Sequence, residues 1–373
     1  MRSLQQADSA CARSNLGSAS RATPRRPQRS AGSPTARRTA IDLFAGAGGS
    51  TQGLKLAGFN VLGAVEWDSQ AADSYQLNHP EVALDRSDLG LLSPLRWSRS
   101  LGLRRGELDL LSACPPCQGF STLGTRVADD PRNDLITTTW KFIRFFRPKA
   151  WLVENVPGAE RDVRTQRLVH LARRAGYGVE RYVLDAADIG VPQHRRRLIL
   201  VGLRDADPPR SLVELFLGRY PLSHVPVRDA LAILATPSAV DPLDRGRRHS
   251  PLAMRRIQAL EPGGSRHDLP PELQLDCHRR LGKKGAGSVY GRIDASKPAP
   301  TMTTRCTTPS CGRFVHPVEN RGLTLREAAT LQTFPRSYRF SGTYDSIEKQ
   351  IGNAVPVGMA QVLAAAIHEL LST

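Results

Sequence analysis

Thr39-Ala-Ile-Asp-Leu-Phe44, running on into Ala45-Gly46-Ala-Gly48-Gly49-Ser50, is the stretch on which the fold turns. The first six residues, mostly apolar, predict a short buried strand. Gly46, Gly48 and Gly49 supply a turn whose backbone reaches angles closed to other residues and can approach a ligand closely. Ser50 to Ala57 continues as an amphipathic helical segment. The same alternation repeats outward. Asn60 to Val65 reads as a strand ending in Glu66-Trp67-Asp68, with a helical segment from Ser69 to Leu77. Leu108 to Ser112 is a third apolar strand and leads into Cys114-Pro-Pro-Cys117. Leu135 to Phe146 has helical spacing, and Lys149 to Val153 is a strand that stops at Glu154-Asn155-Val156-Pro157. Strands alternating with helices predict an α/β domain built on a mostly parallel sheet.

The rest of the chain fits a basic protein with a nucleic-acid partner. Its 373 residues carry 52 Lys and Arg against 35 Asp and Glu, a net charge of +17, and a polyanion is the natural partner of such a field. Six cysteines are too few for a disulfide scaffold and predict a reducing compartment. No run of about 18 consecutive apolar residues predicts a membrane span. Residues 1–38 hold eight arginines against the single acid Asp8 and almost no large apolar side chains. Such a segment cannot offset its ordering entropy, so a disordered basic tail is expected, not an organelle leader, which would need an apolar helical face.

Beyond about residue 205 the pattern changes to clustered Pro and Gly with scattered arginines, among them Arg245, Arg247, Arg248, Arg255, Arg256, Arg279 and Arg280. Helical order returns at Thr324-Leu-Arg-Glu327, a capping box with an expected stop at Pro335, and again from Val357 to Leu371. The map is a tail (1–38), an α/β domain (39–205), a smaller irregular domain (206–321), and C-terminal helices (322–373), the last packing back on the α/β domain.

Several stretches carry chemistry, each with a plainer alternative. Glu66, at the end of the second strand, lies where doubly wound nucleotide folds hold ribose hydroxyls, and Trp67 could lie against an adenine ring. The turn departs from Gly-x-Gly-x-x-Gly, which counts against a dinucleotide. Cys114 and Cys117 admit three readings: a redox pair, half of a zinc site completed from Cys277, His278, Cys306 and Cys311, or one reactive thiol beside a bystander. Glu154 is a catalytic carboxylate or a strand-end residue capping the next helix. Gln193, Arg195 and Arg197 share one face at period two, either solvated or forming a donor array for a base or phosphate.

In this order the stretches resemble the cytosine-5 DNA methyltransferase family. The resemblance runs through Asp-Leu-Phe-Ala-Gly-Ala-Gly-Gly at 42–49, Glu-Trp-Asp at 66–68 and Pro-Pro-Cys-Gln-Gly-Phe-Ser at 115–121. It continues through Glu-Asn-Val at 154–156, Gln-x-Arg-x-Arg at 193–197, Leu-Arg-Glu-Ala-Ala-x-Leu-Gln-x-Phe-Pro at 325–335 and Gly-Asn-Ala-Val-Pro at 352–356. It implies a Rossmann-like S-adenosylmethionine-dependent methyltransferase domain with a target-recognition domain between about 206 and 321. It implies that Cys117 adds to carbon 6 of a flipped cytosine, that Glu154 bonds or protonates ring nitrogen 3, and that Arg197 with Arg195 holds the base carbonyl. Phe44, Gly46, Gly48 and Gly49 would line the methionine side of the cofactor, with Glu66 on the ribose, and Trp67 and Asp88 on the adenine. Asn353 and Val355 would close over it, and the stretch from Gln118 to about Asn133 would be a lid on the DNA.

The implied partners are double-stranded DNA and a cognate restriction endonuclease, for a monomeric cytoplasmic enzyme of bacterial type without a metal. Two alternatives remain. One is a tRNA cytosine-5 methyltransferase of the same fold, although that branch usually has Thr where Ser121 follows Phe120. The other is a non-catalytic zinc-containing DNA-binding module.

Overall fold

Residues 37–116, 134–216, 223–235, 241–280 and 287–372 are described by the computed structural model. Strand β1 (Thr39–Leu43) lies inside the sheet, and α1 (Gly49–Leu56), β2 (Asn60–Val65), α2 (Ser69–Asn78) and β3 (Ala83–Asp85) build outward from it to one edge. The chain then crosses back through α3 (Pro94–Ser100) to β4 (Leu110–Ala113), α4 (Leu135–Phe146), β5 (Ala150–Asn155), α5 (Val163–Arg174), β6 (Tyr177–Asp185) and β7 (Arg196–Arg204). The result is a seven-stranded sheet of order β3-β2-β1-β4-β5-β7-β6. All pairings from β3 to β5 are parallel, and β7 runs antiparallel to both β5 and β6. The α/β expectation holds.

The chain winds away from β1 in one direction to β3 and in the other to β6. The carboxyl ends of β1 and β4 therefore flank the point where the winding reverses, which is where α/β sheets leave a crevice for ligands.

Each sheet face has its own core. On one, Ala40, Leu110, Leu152 and Val201 pack against Leu54 of α1 and Leu363 of α12 (Val357–Leu370). On the other, Ile41, Leu111, Trp151 and Leu200 pack against Trp97 of α3, Phe142 of α4 and Leu168 of α5. The alternation of these residues along the strands is the period of two that buries both faces.

Among the described residues of 205–320 the α-helices are short: α6 (Leu212–Phe216), α7 (Val227–Ala232), α8 (Pro251–Gln258) and α9 (Asp276–Arg280). Ile257, Leu260, Leu273, Tyr290 and Val315 form a small separate core there. Buried Arg292 stitches it together by donating to the carbonyls of Ile257, Leu260, His316 and Glu319. α10 (Leu325–Leu331) opens on the expected capping box, with Thr324 and Glu327 exchanging bonds. It ends four residues before Pro335, because Thr333 turns to φ 59°. α11 (Tyr344–Asn353) and α12 follow. By length and composition alone Tyr344–Leu370 would span a membrane. About two thirds of its apolar window is buried, and Ala354–Pro356 separates its two helices.

The compact unit begins at Arg37, not at Thr39. Arg38 donates to the Leu371 carbonyl (2.6 Å) and Ser372 Oγ (2.9 Å), and its own carbonyl accepts from Asn60 N (2.7 Å). Residues 1–36, where the basic tail is expected, lie outside the described residues.

Candidate active site

The parallel strands deliver their last residues to one edge of the sheet. β1 leads into Phe44, held at φ 59°, and Gly46 at φ 56°. A Cβ on Gly46 would meet nothing within 4 Å, so this side of the turn faces open space. β2 delivers Glu66, 8% exposed, whose Oε2 accepts from Gly46 N and Oε1 from Asp68 N, both at 2.8 Å. Burial pushes its carboxyl above the usual range, against the opposing pull of those two amides. Trp67 beside it is 73% exposed, a large aromatic face open to solvent. Asp88 is also exposed, and its Oδ1 accepts from Gly90 N at 2.7 Å.

The other two glycines of the turn are packing devices. A Cβ on Gly49 would come 2.7 Å from the Val355 carbonyl, and one on Gly48 (φ 96°) would strike His79 and Tyr338. The close approach at Gly49 brings Val355 to the glycine turn; Asn353, two residues earlier, is exposed. Thus Phe44, Gly46, Glu66 and Trp67 form the rim of one cradle, with Val355 behind Gly49.

Beneath the turn lies Asp42, fully buried. Its Oδ2 accepts from Thr51 Oγ1 at 2.8 Å, and Thr51 Oγ1 is 2.9 Å from Tyr75 Oη. Its Oδ1 is a buried atom without a hydrogen bond. Burial pushes the Asp42 carboxyl up to about 7, opposed by the bond from Thr51 and the nearby hydroxyls of Ser50 and Ser112.

The second half of the site sits where β4 and β5 end and antiparallel β7 begins. Asn155 Nδ2 donates to the Pro115 carbonyl at 3.3 Å and so ties the Cys114–Pro116 turn to β5. Glu154, the residue before it, meets Arg197 of β7 with Nε to Oε1 at 2.7 Å, both side chains nearly buried. The contact is an ion pair more than an aligned hydrogen bond, since Oε1 lacks a partner of good angular geometry. Cys117 and the expected lid from Gln118 to Asn133 lie outside the described residues.

Arg195 does not join this pair. It is 4% exposed, and its guanidinium is spent on backbone carbonyls: Met302 at 2.9 Å and Gly352 at 3.4 Å. Gln193 likewise turns inward, to the Leu331 carbonyl, Gln332 Oε1 and Met302 N. The shared donor face expected for Gln193, Arg195 and Arg197 is therefore split, because β7 begins only at Arg196 and the two earlier residues follow a different path.

The chain matches known proteins along most of its length. The model of the C-5 cytosine-specific DNA methylase family matches residues 38–369. The chain belongs to this family. The type II methylase M.HgiDII of Herpetosiphon aurantiacus is 34% identical, covering 89% of this chain and 95% of that protein. Type II methyltransferase M1.HphI of Haemophilus parahaemolyticus is 33% identical, covering 89% and 87%. An E. coli prophage protein assigned to the DNA modification methyltransferases shares 25% identity at a TM-score of 0.71, covering 90% of this chain and all of that one. The S. pombe Dnmt2 methyltransferase shares the fold at a TM-score of 0.66 and 18% identity, covering 90% and 100%. The enzyme is a DNA (cytosine-5-)-methyltransferase, of a family that takes its methyl group from S-adenosylmethionine.

Among the described residues, no cysteine belongs to a group close enough to hold a metal ion. Burial, then the charges of Glu154 and Asp42, push the Cys114 thiol well above its usual range, so it stays protonated. Cys306 is buried with its thiol raised likewise, while Cys277 and Cys311 are exposed. Among the described residues His316, Glu319 and Glu327 cluster closely enough for a cation. The Arg321 guanidinium already bridges the two carboxylates, at 2.8 and 2.7 Å. Sequence reasoning gave no role to Asp42 or Asn155. Asp42 had a signal, a carboxylate inside an otherwise apolar strand. Asn155 had none, because its partner becomes adjacent only through the β4–β5 pairing.

Proposed function

We propose that this methylase binds S-adenosylmethionine across the Phe44–Gly49 turn and modifies a cytosine held between Cys117 and the Glu154–Arg197 pair. The open side of Gly46 is room a Cβ would fill, and the adjoining carboxylate of Glu66 suits vicinal hydroxyls; both fit the cofactor. Trp67 offers its exposed face to the adenine, where Asp88 would add a polar contact, and Asn353 and Val355 would close over the cofactor from the other side. When bound, the cofactor supplies an electrophilic methyl group. The cytosine must leave the duplex to reach the sheet edge. The Cys117 thiolate then forms a bond to carbon 6, and the ring's electrons shift toward carbon 5, which takes the methyl group. Glu154 shares or gives a proton to ring nitrogen 3, and Arg197 holds the base carbonyl while fixing Glu154 in place. Loss of the carbon 5 proton to a water molecule lets the carbon–sulfur electron pair return to sulfur, which breaks that bond and restores the thiolate. Arg195 acts as a positioning residue that locks the start of β7 to residues 302 and 352.

The observation that carries this reading is the Glu154–Arg197 contact, 2.7 Å, at the end of a strand bonded to the Pro115 turn. The type II relatives support a role in protecting DNA from a cognate endonuclease. Transfer of labelled methyl groups to duplex DNA but not to tRNA tests the substrate. Sequencing of 5-methylcytosine in DNA from expressing cells then reads the recognised site, and resistance of that DNA to cleavage there tests protection.

A further inference from the structure

Away from the cofactor cradle, a cavity of about 180 Å³ opens between the amino end of α8 and residues 305–310. Arg247, Arg248 and Arg305 line it, together with the hydroxyl-bearing Ser250, Thr308 and Ser310. Two acids stand near. Glu348, fully buried, gives Oε1 to Thr307 N, Thr307 Oγ1 and Thr308 Oγ1, at 2.8, 2.6 and 3.1 Å. Its Oε2 is taken by Arg247 at 2.8 Å, and Arg247 also pairs with Asp345 and lies over the Tyr344 ring, 4.6 Å from its centroid. Arg305 reaches the same Oε2 only at 3.8 Å, and Arg248 has no acidic partner within 4 Å among the described residues. Burial and the neighbouring Arg247 lower the pKa of His249, whose Nε2 accepts from Gly322 N at 3.2 Å. It shapes the wall as a neutral ring. With the Thr308 proton already given to Glu348, what remains around the cavity is two guanidinium charges, one anchored guanidinium and the hydroxyls of Ser250 and Ser310, a donor set that suits a tetrahedral oxyanion.

We propose that this cavity seats one backbone phosphate of the duplex, a contact that adds affinity and register without reading sequence; the inference rests on DNA being the substrate. The cavity is mechanically joined to the base-handling strand. The segment that carries Arg305 and Thr308 begins at Thr301, whose Oγ1 donates to the His194 carbonyl at 2.7 Å. It continues through Met302, whose carbonyl holds Arg195 at 2.9 Å. Gly352 packs directly on Thr303, where no Cβ would fit. A phosphate fixed by Arg248 and Arg305 thus sets the DNA backbone at a defined span from the Glu154–Arg197 pair.

The test uses the full chain, a non-specific duplex and a tRNA, with affinity followed from 0.05 to 0.5 M salt on the order-of-magnitude scale where counterion release is resolved. Arg248→Ala should flatten the slope of log K against log salt by about 0.9, the share of one phosphate. With the two lines meeting near 1 M, affinity at 0.1 M then falls about eightfold. Ser310→Asp, which places a carboxylate in the cavity, should weaken duplex binding further, and both variants should keep wild-type melting temperature and cofactor affinity. Wild-type binding with unchanged slopes in the variants overturns the seat alone. A slope change on tRNA but not on duplex overturns it in favour of an RNA contact. A wild-type protein that binds no duplex overturns the substrate and the seat together.

Discussion

Replacing Glu66 with alanine should weaken S-adenosylmethionine binding while leaving the duplex affinity in place. In the free protein the carboxylate accepts two backbone amides at 2.8 Å, from Gly46 and Asp68, and it is 8% exposed. Hydrogen bonds to charged groups contribute about 1.5–3 kcal/mol each. The Gly46 side of the turn is open, so water can reach its orphaned amide and the folding cost should stay near the value for one bond, about 1.5–3 kcal/mol. Loss of the ribose contact is of the same size, which corresponds to a Kd raised roughly 10- to 150-fold. Glu66→Gln keeps the shape but sets an NH2 group against one of the two amides, so it should fall in the same range. Calorimetric titration with S-adenosylmethionine and anisotropy with a labelled duplex separate the two affinities. A folded alanine variant with cofactor affinity within about twofold of wild type, against the range above, would refute the placement of Glu66.

Five further outcomes are expected. Asp42 has a folded pKa of about 7 against 3.8 unfolded, so between these values the folded state binds more protons. Its contribution to stability is then complete below about pH 4, declines as pH rises, and is lost above about 7. Denaturant melts from pH 5 to 8 should show that decline in wild type and a shallower one in Asp42→Asn; equal slopes would contradict it. Gly49→Ala should cost about 1–3 kcal/mol in stability through its clash with the Val355 carbonyl, read as a lower melting temperature. Gly46→Ala should lose cofactor affinity at a smaller cost to the fold, about 1–2 kcal/mol for its left-handed angle. Deleting residues 1–36 should preserve turnover and the melting temperature while flattening the salt dependence of DNA binding. Deleting 1–38 should lower the melting temperature as well, because Arg38 holds the end of α12.

What could be read in the sequence was what strands do locally. The proposed cofactor and base residues follow β1, β2 and β4 or stand at the end of β5, because parallel strands end together, so an apolar run leading to Gly, Glu or Cys already gives a candidate address. The edge strand β6 went unread, although Tyr177, Val179, Tyr182 and Leu184 are buried among exposed or half-buried neighbours. Arg195 could not be separated from Arg197 by period. Its carbonyl partners lie 107 and 157 residues away, and β7 starts between the two arginines. The dual nature of the glycine turn was hidden too. Gly46 faces open space while Gly49 meets another part of the chain, and both are simply glycines in sequence. From 205 to 320 the backbone is organised by buried arginines such as Arg292 bonding to carbonyls, which leaves no hydrophobic period to find.

The central claim is covalent catalysis by a single thiol, and a duplex carrying 5-fluorocytosine at the target tests it most directly. Fluorine at carbon 5 blocks the final elimination, so with S-adenosylmethionine present the wild-type protein should form a DNA adduct that survives denaturation. Cys117→Ser should form no adduct and transfer no methyl group, since a hydroxyl is far less acidic and nucleophilic than a thiol. Cys114→Ser should retain both, because burial keeps that thiol protonated. An adduct that persists in Cys117→Ser, or that disappears in a folded Cys114→Ser protein, would contradict the account.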